Sequence, residues 1–422
     1  MTKNLPTAVG AILMFAQLAL PPNSAQAAGA MVRLTNTGAV DTTFNSTGQQ
    51  VSPPTASRHV MVARWGTKLF VAGGVDDGVP YPGSIWYLGR KNSDGSADTA
   101  FGYGGVTTAS YHVGPNDYTR WASLGMAAGA KPVIFGDTTP NNSISHTSYL
   151  VRFNENGTID TTFGSQGFVE PFHGLGPFGA NTMIIAPDET IYVFSWADSS
   201  HSVPAKMAKI SASGVVLATA NFGPCGRVAD PMSVAVTSGG QLIVVGAFNV
   251  GTHNIVVERL SGGLVPDTNF ATASAGQCPG GAAYVSAIEG YTTAMGIDGS
   301  DRIVVAAGEQ VSPKINFFRL NGLGQADGWS GSFSFPASSA IRPLRRITTT
   351  ATGNYMLAAV GSFNGSLKFI STRLSQFMPA GLDTTYGPFG YKTISFAGYG
   401  QAFAYDYLLD TSQRMTIVGD AW

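Results

Sequence analysis

An all-β fold built from seven repeated units is what this sequence predicts, and three observations carry that expectation. A phrase with a basic residue, a turn and an aromatic recurs seven times between residues 31 and 386. A second phrase, a short apolar run after a polar turn, alternates with it and also occurs seven times. The composition suits many short strands joined by tight turns, with 53 glycines and only 12% charged residues, about half the usual charged share.

The first phrase reads "VRLTNTGAVDTTF" at 32–44, "GRKNSDGSADTAF" at 89–101 and "VRFNENGTIDTTF" at 151–163. It continues as "AKISASGVVLATANF", "ERLSGGLVPDTNF", "FRLNGLGQADGWS" and "TRLSQFMPAGLDTTY". The basic residues Arg33, Arg90, Arg152, Lys209, Arg259, Arg319 and Arg373 recur every 50 to 62 residues. A strand, an Asn/Asp-Gly-like turn and a second strand make this phrase a hairpin. The second phrase runs from "GTKLFVAGG" (66–74) to "SQRMTIVGD" (412–420). Val, Ile, Leu and Phe runs bounded by Gly, Asp and Ser read as buried strands.

A unit of this length with four strands is a propeller blade, so the predicted fold is a seven-bladed β-propeller with four-stranded blades. The chain opens on the first phrase and closes on the second. The expectation is therefore that N-terminal outer strands join the C-terminal inner strands in one blade, closing the ring without an unfinished edge. Residues 28–422 would form this single domain. An open solenoid would need capping units, and none is visible.

The phrases resemble the delta-60 repeat family, most specifically in "VRFNENGTIDTTFG" and "VRLTNTGAVDTTF". The resemblance weakens in "VVLATANF", which lacks the Asp, and in "DGWSGSF", which breaks the Thr-x-Phe. It implies a bacterial β-propeller, often exported, and no established reaction.

The repeated residues are expected to be structural. Arg and Asp stand eight apart in Arg33/Asp41, Arg90/Asp98, Arg152/Asp160, Arg259/Asp267 and Arg319/Asp327. A reaction needs one asymmetric constellation, whereas a staple is useful in every blade. Gly38, Gly95, Gly157, Gly214 and Gly324 should fill a left-handed turn position. The closing aromatics Phe44, Phe101, Phe163, Phe222, Phe270 and Tyr386 should pack between blades.

Residues 1–27 read as a secretory signal. Lys3 precedes the apolar run "AVGAILMFAQLAL", and Ala25-Gln26-Ala27 fits a cleavage site. The run is too short to span a bilayer comfortably, and no later stretch looks transmembrane. An exported chain, periplasmic or secreted, permits a disulfide. Cys225 and Cys278 lie in comparable loops and would form one bridge, the alternative being two separate buried thiols. A formal net charge of −1 supplies no field toward nucleic acid or an anionic membrane. A monomer is expected.

Function must then sit where the repeats differ, at the mouth of the central channel. Alignment on the second phrase places Arg58-His59, Arg120-Trp121, Asn181, Asp230, Tyr291-Thr292, Arg345-Arg346 and Tyr405-Asp406 at the leading positions of the innermost strands, with Arg342 and Tyr407 nearby. Arginines beside tyrosines and a tryptophan suit a carboxylated or sugar-like ligand. A solvated channel lined by polar groups is the competing expectation. The six histidines are scattered without zinc spacing, and the acid-rich "NSDGSAD" and "DGSD" lack EF-hand spacing. No metal, cofactor or catalytic residue is therefore assigned. The leading reading is an exported, non-catalytic binding module for a saccharide or protein. The alternative is a hydrolase or lyase at the channel mouth, in which His59 with Asp230 or Asp406 would be the acid/base pair. A purely structural surface protein is the third option.

Overall fold

The computed structural model describes residues 28–52, 60–74, 86–109, 118–139, 146–175, 178–197, 202–224, 228–248, 254–271, 282–289, 292–308, 313–335, 338–377 and 380–422. Strands β1 (Ala28–Leu34) and β2 (Gln49–Val51) come first. A four-stranded antiparallel sheet follows, from β3 (Met61–Trp65) and β4 (Lys68–Gly74) to β5 (Trp86–Lys91) and β6 (Val106–Ala109). The next runs β7 (Tyr118–Ala127), β8 (Lys131–Thr139), β9 (Thr147–Arg152) and β10 (Phe168–Val169). A third holds β11 (Ala180–Ile185), β12 (Ile191–Ser195), β13 (Ala205–Ile210) and β14 (Val216–Phe222). A fourth holds β15 (Ala229–Val236), β16 (Leu242–Phe248), β17 (Asn254–Leu260) and β18 (Ala282–Glu289).

The following strands are β19 (Thr292–Ile297), β20 (Ile303–Gly308), β21 (Lys314–Leu320) and β22 (Ala326–Ser334), then β23 (Ser338–Thr349), β24 (Tyr355–Phe363), β25 (Ser366–Leu374) and β26 (Tyr391–Ile394). These eight form one sheet, in the order β22-β21-β20-β19-β23-β24-β25-β26. The last strands, β27 (Ala402–Leu409) and β28 (Met415–Ala421), complete the sheet begun by the first two, in the order β2-β1-β28-β27. Seven residue pairs, from Ala28↔Ala421 to Leu34↔Met415, zip β1 to β28.

The fold is an all-β propeller, and the innermost strands β3, β7, β11, β15, β19, β23 and β27 touch one another in ring order, with β27 returning to β3. The sheet count departs from the expected seven separate four-stranded sheets: there are five of four strands and one of eight. The physical reason lies at β19 and β23. A side chain on Gly296 would put its Cβ 2.1 Å from the Ile347 carbonyl oxygen, so glycine lets the two backbones close. A bulge between Pro343 and Ile347 turns the long β23 toward β19, and the single parallel bridge Met295↔Arg346 joins the sheets.

The core lies between sheets. Phe70 and Phe101 of one pack with Ile134, Tyr149 and Phe153 of the next. Burying each such ring stabilises the fold by about 1.5–3 kcal/mol. The hairpin phrase organises this packing. Its glycines Gly38, Gly95, Gly157, Gly214 and Gly324 have φ of +82, +88, +90, +88 and +79°. A Cβ on Gly95 would fall 2.7 Å from the Phe44 ring, and one on Gly324 2.7 Å from Phe270. Each glycine thus opens a left-handed turn and a seat for the preceding unit's aromatic. The fifth phrase breaks the pattern with Leu264, buried at φ +64°. The preceding phrase has lost its Asp-containing turn, so Phe222 ends a strand instead, and Leu264 fills the space in the cluster around Phe222 and Tyr192.

Candidate functional site

The repeated ion pairs are in place. Arg Nε meets Asp Oδ2 at 2.7 Å in Arg33–Asp41, 2.8 Å in Arg90–Asp98 and Arg152–Asp160, 2.9 Å in Arg259–Asp267 and 2.5 Å in Arg319–Asp327. A sixth pair, Arg373–Asp383 at 2.7 Å, escaped the sequence pattern because the hairpin is two residues longer. Each arginine also reaches the next unit's turn: Arg90 Nη1 donates to the Glu155 carbonyl at 2.6 Å, and Arg33 donates to Ser93. The guanidiniums of Arg33, Arg152 and Arg259 lie over Phe44, Phe163 and Phe270 at 4.9, 4.4 and 4.9 Å. These pairs hold neighbouring units together. Burial pushes the Asp160 carboxyl up, yet Lys131, Thr162 and Arg152 outweigh it and hold the group well below its ordinary value.

The channel residues divide. Arg58, His59 and Tyr291 lie outside the described residues, as do Cys225 and Cys278. Arg120 and Trp121 pair through backbone with Asp137 and Gly136 in β8, and Arg345 sits within the bulge of β23. Asn181 and Tyr405 are themselves bulged residues of inner strands, at the register breaks Ala180/Thr182 and Ala404/Asp406. Bulges re-aim side chains and are enriched beside active sites.

The acidic and amide groups among them bond across to neighbouring units. Asn181 donates from Nδ2 to the Pro231 carbonyl. The Ala197 N–H donates to Asp230 at 2.9 Å, and the Val62 N–H donates to Asp406 at 3.0 Å. Asp137, fully buried, accepts the Ala180 N–H at 2.8 Å in the same manner. Beside Asp406 stand two groups of more open character. Arg346 Nη2 lies 3.6 Å from Asp406 Oδ1, with its side chain 46% exposed, and Tyr405, half-buried, donates its hydroxyl to Asp420 at 3.2 Å. An exposed pair at that distance contributes little to stability. Tyr407, one residue on, is fully buried with its hydroxyl 2.9 Å from the Arg346 carbonyl, and burial pushes its phenol well above the ordinary value.

A second constellation was not legible in the sequence. A cavity of about 130 Å³ is lined by His146, Thr147, Ser148, Glu170, Phe172, His173, Gly174 and Phe178. His146 Nδ1 lies 3.5 Å from Asp137 Oδ1 and 2.5 Å from Thr139 Oγ1. His173 Nδ1 lies 2.6 Å from Glu170 Oε2. Two imidazoles, each against a carboxylate, are groups that can accept and return protons. Both histidines lie outside the two repeated phrases, and only the fold brings them to one cavity. Among the described residues no cluster of three or more His, Cys, Asp or Glu side chains could hold a metal ion, and no helix is long and apolar enough to cross a membrane.

Comparison with known proteins bears on the fold. Residues 133–163 match the family model described as a domain of unknown function (DUF5122) beta-propeller. No curated protein matches. Among solved structures, a protein of unknown function from Dyadobacter fermentans is 10% identical, with a TM-score of 0.45 over 75% of this chain and 94% of that one. The α-L-arabinofuranosidase Arb93A of Fusarium graminearum is 12% identical, with a TM-score of 0.45 over 76% and 95%. An ulvan lyase is 10% identical, with a TM-score of 0.46 over 87% and 92%. The family match falls on β8, β9 and the third copy of the hairpin phrase, within a chain that is an all-β propeller.

Proposed function

We propose that this chain is an exported, seven-bladed propeller of the delta-60 type that binds an extracellular saccharide on its inner strands. Counting the eight-stranded sheet as two, because a single bridge joins its halves, supports a reading of seven blades. Export is proposed from the signal-like residues 1–27. The observation that carries the binding reading is the Arg346, Tyr405 and Asp406 group on the adjacent strands β23 and β27. A half-exposed guanidinium suits bidentate pairing with a uronate carboxylate, and a tyrosine offers a ring face and a hydroxyl. The test is a thermal-shift screen of uronates, neutral sugars and short peptides against the chain and its Arg346→Ala variant. A ligand that binds the folded state raises the melting temperature. A uronate shift lost in the variant supports the reading. A shift with peptides alone, or one indifferent to Arg346, rejects it.

A hydrolase or lyase is the second reading, and His146 and His173, which line one cavity with Asp137 behind the first and Glu170 beside the second, favour it. There His146 would act as the acid/base group. Turnover of a polysaccharide that disappears in His146→Ala supports this reading. Turnover unchanged in that variant excludes the cavity as its site.

A further inference from the structure

Arginine is seldom without a partner in this fold. The six hairpin arginines each meet an aspartate at 2.5–2.9 Å. Arg302 and Arg414 meet Asp298 and Asp410 at 2.7 and 2.8 Å, and Arg64 donates to the Gly66 carbonyl at 2.7 Å. Arg342, on β23, is half-buried. Among the described arginine side chains it alone makes neither an ion pair nor a hydrogen bond. A cation drawn partly out of water without a partner is destabilising.

The direction of Arg342 follows from the register. It pairs with Val360, which shares a core cluster with Leu344 and with Ala404 and Tyr407 of β27. Ile341 and Ile347 lie in the cluster on the opposite face of the sheet. The bulge spends four steps of β23, from Pro343 to Ile347, on two of β24, from Ala359 to Leu357, so the alternation stays in step across it. Arg342, Leu344 and Arg346 therefore all face β27, where Arg346 reaches Asp406. Four residues of strand put the two arginines up to about 13 Å apart. β23 holds three arginines, Arg342, Arg345 and Arg346, and no acid, while β27 holds one acid, Asp406. Asp406 already accepts the Val62 and Tyr407 N–H groups. The rings of Phe403 and Tyr405, both half-buried on β27, lie 4.9 Å apart.

We propose that Arg342 is a second anion contact of the Arg346 site, so that the ligand is an acidic oligosaccharide presenting two or more carboxylates rather than a single uronate. This ligand class rests on the saccharide reading above. Arg346 takes one carboxylate and Arg342 another along the same glycan, each through the paired N–H groups of its guanidinium. Phe403 and Tyr405 stand on the strand that both arginines face, and offer ring faces to the sugars between. Linking two such contacts in one ligand raises affinity, because the second forms within the complex. A neutral glycan would leave Arg342 as unpartnered as it is in the free chain.

The test is titration calorimetry of the full chain with galacturonic acid and with its trimer, for wild type and Arg342→Ala. The trimer should bind wild type at least about tenfold tighter than the monomer. In Arg342→Ala that ratio should fall toward one. The ligand-free melting temperature of the variant should equal or exceed that of wild type, because an unpartnered charge has been removed. A trimer that binds wild type no tighter than the monomer, or a ratio indifferent to Arg342→Ala, overturns the proposal and leaves the saccharide reading standing. A variant that melts lower and loses both sugars equally marks Arg342 as structural and overturns the proposal as well. Binding of neither sugar to wild type rejects the saccharide reading and the proposal together.

Discussion

Arg373 donates from Nη1 to the carbonyl oxygen of Asn36 at 2.8 Å, joining residues 337 positions apart. The same guanidinium pairs with Asp383 at 2.7 Å and donates to Thr385 at 2.7 Å. It does for the ends of the chain what Arg90 does for two adjacent units, and it stands beside the β1–β28 zipper as a second fastening of the ring.

Arg373→Ala should therefore destabilise the protein by about 2–3 kcal/mol, since Asp383 loses its cation and a cross-ring donor disappears. Arg414→Ala is the comparison. Its close partner Asp410 is four residues away, its contact with Asp41 is long at 3.6 Å, and its side chain is 32% exposed, so about 0.5 kcal/mol is expected. Denaturant unfolding of both variants checks the difference.

Acid should loosen the ring through the repeated carboxylates. Asp41, Asp98, Asp160 and Asp383 all have depressed carboxyl groups, relative to 3.8 for the free side chain. A group depressed in the folded state contributes stability that is complete above its unfolded value and is lost as pH falls through the folded one. The melting temperature should thus drop steeply below about pH 4. Asp160→Asn should lower stability at neutral pH and flatten that acid limb. A melting curve against pH for the two proteins decides it.

Glu258 has the opposite sign. It is buried in β17, and desolvation raises its carboxyl from 4.5 to about 7. The folded state then holds a proton that the unfolded chain has released, so the stabilising difference is present at low pH and lost as pH rises through about 7. Glu258→Gln should be nearly neutral at about pH 4 and stabilising above about pH 8, by at most about 3 kcal/mol. Equal effects at both pH values would contradict the burial account.

Gly157→Ala should cost more than Gly174→Ala. Both positions have positive φ, +90° and +73°. A Cβ at Gly157 would stand 2.9 Å from the Gly102 nitrogen, whereas one at Gly174 meets nothing within 4 Å. The second variant carries only the backbone strain of about 1 kcal/mol. The first adds a clash between two units, so its melting temperature should fall further.

Much of the fold was legible because a propeller repeats its solution. The Arg/Asp spacing of eight and the glycine five residues on describe one hairpin, and each copy reinforces the others. Arg373–Asp383 was missed because two inserted residues change the spacing while leaving the contact intact. The joining of two sheets through Gly296 and Pro343 left no signal, because it depends on how close two backbones come. The functional residues were less legible for a related reason. Alignment placed Asn181, Asp230 and Asp406 on inner strands, but could not distinguish a side chain aimed at a ligand from one bonded to the next unit's backbone. His146 and His173 meet at one cavity through tertiary placement, which no spacing encodes.

The proposed saccharide site lies on the inner strands at Arg346, Tyr405 and Asp406. Titration calorimetry with a uronate oligosaccharide tests it most directly, using wild type, Arg346→Ala and His146→Ala. Binding that weakens at least about tenfold in Arg346→Ala, near 1.4 kcal/mol, while His146→Ala binds as wild type does, is the predicted result. Undiminished binding in Arg346→Ala, with loss in His146→Ala, would contradict the claim and move the site to the histidine cavity.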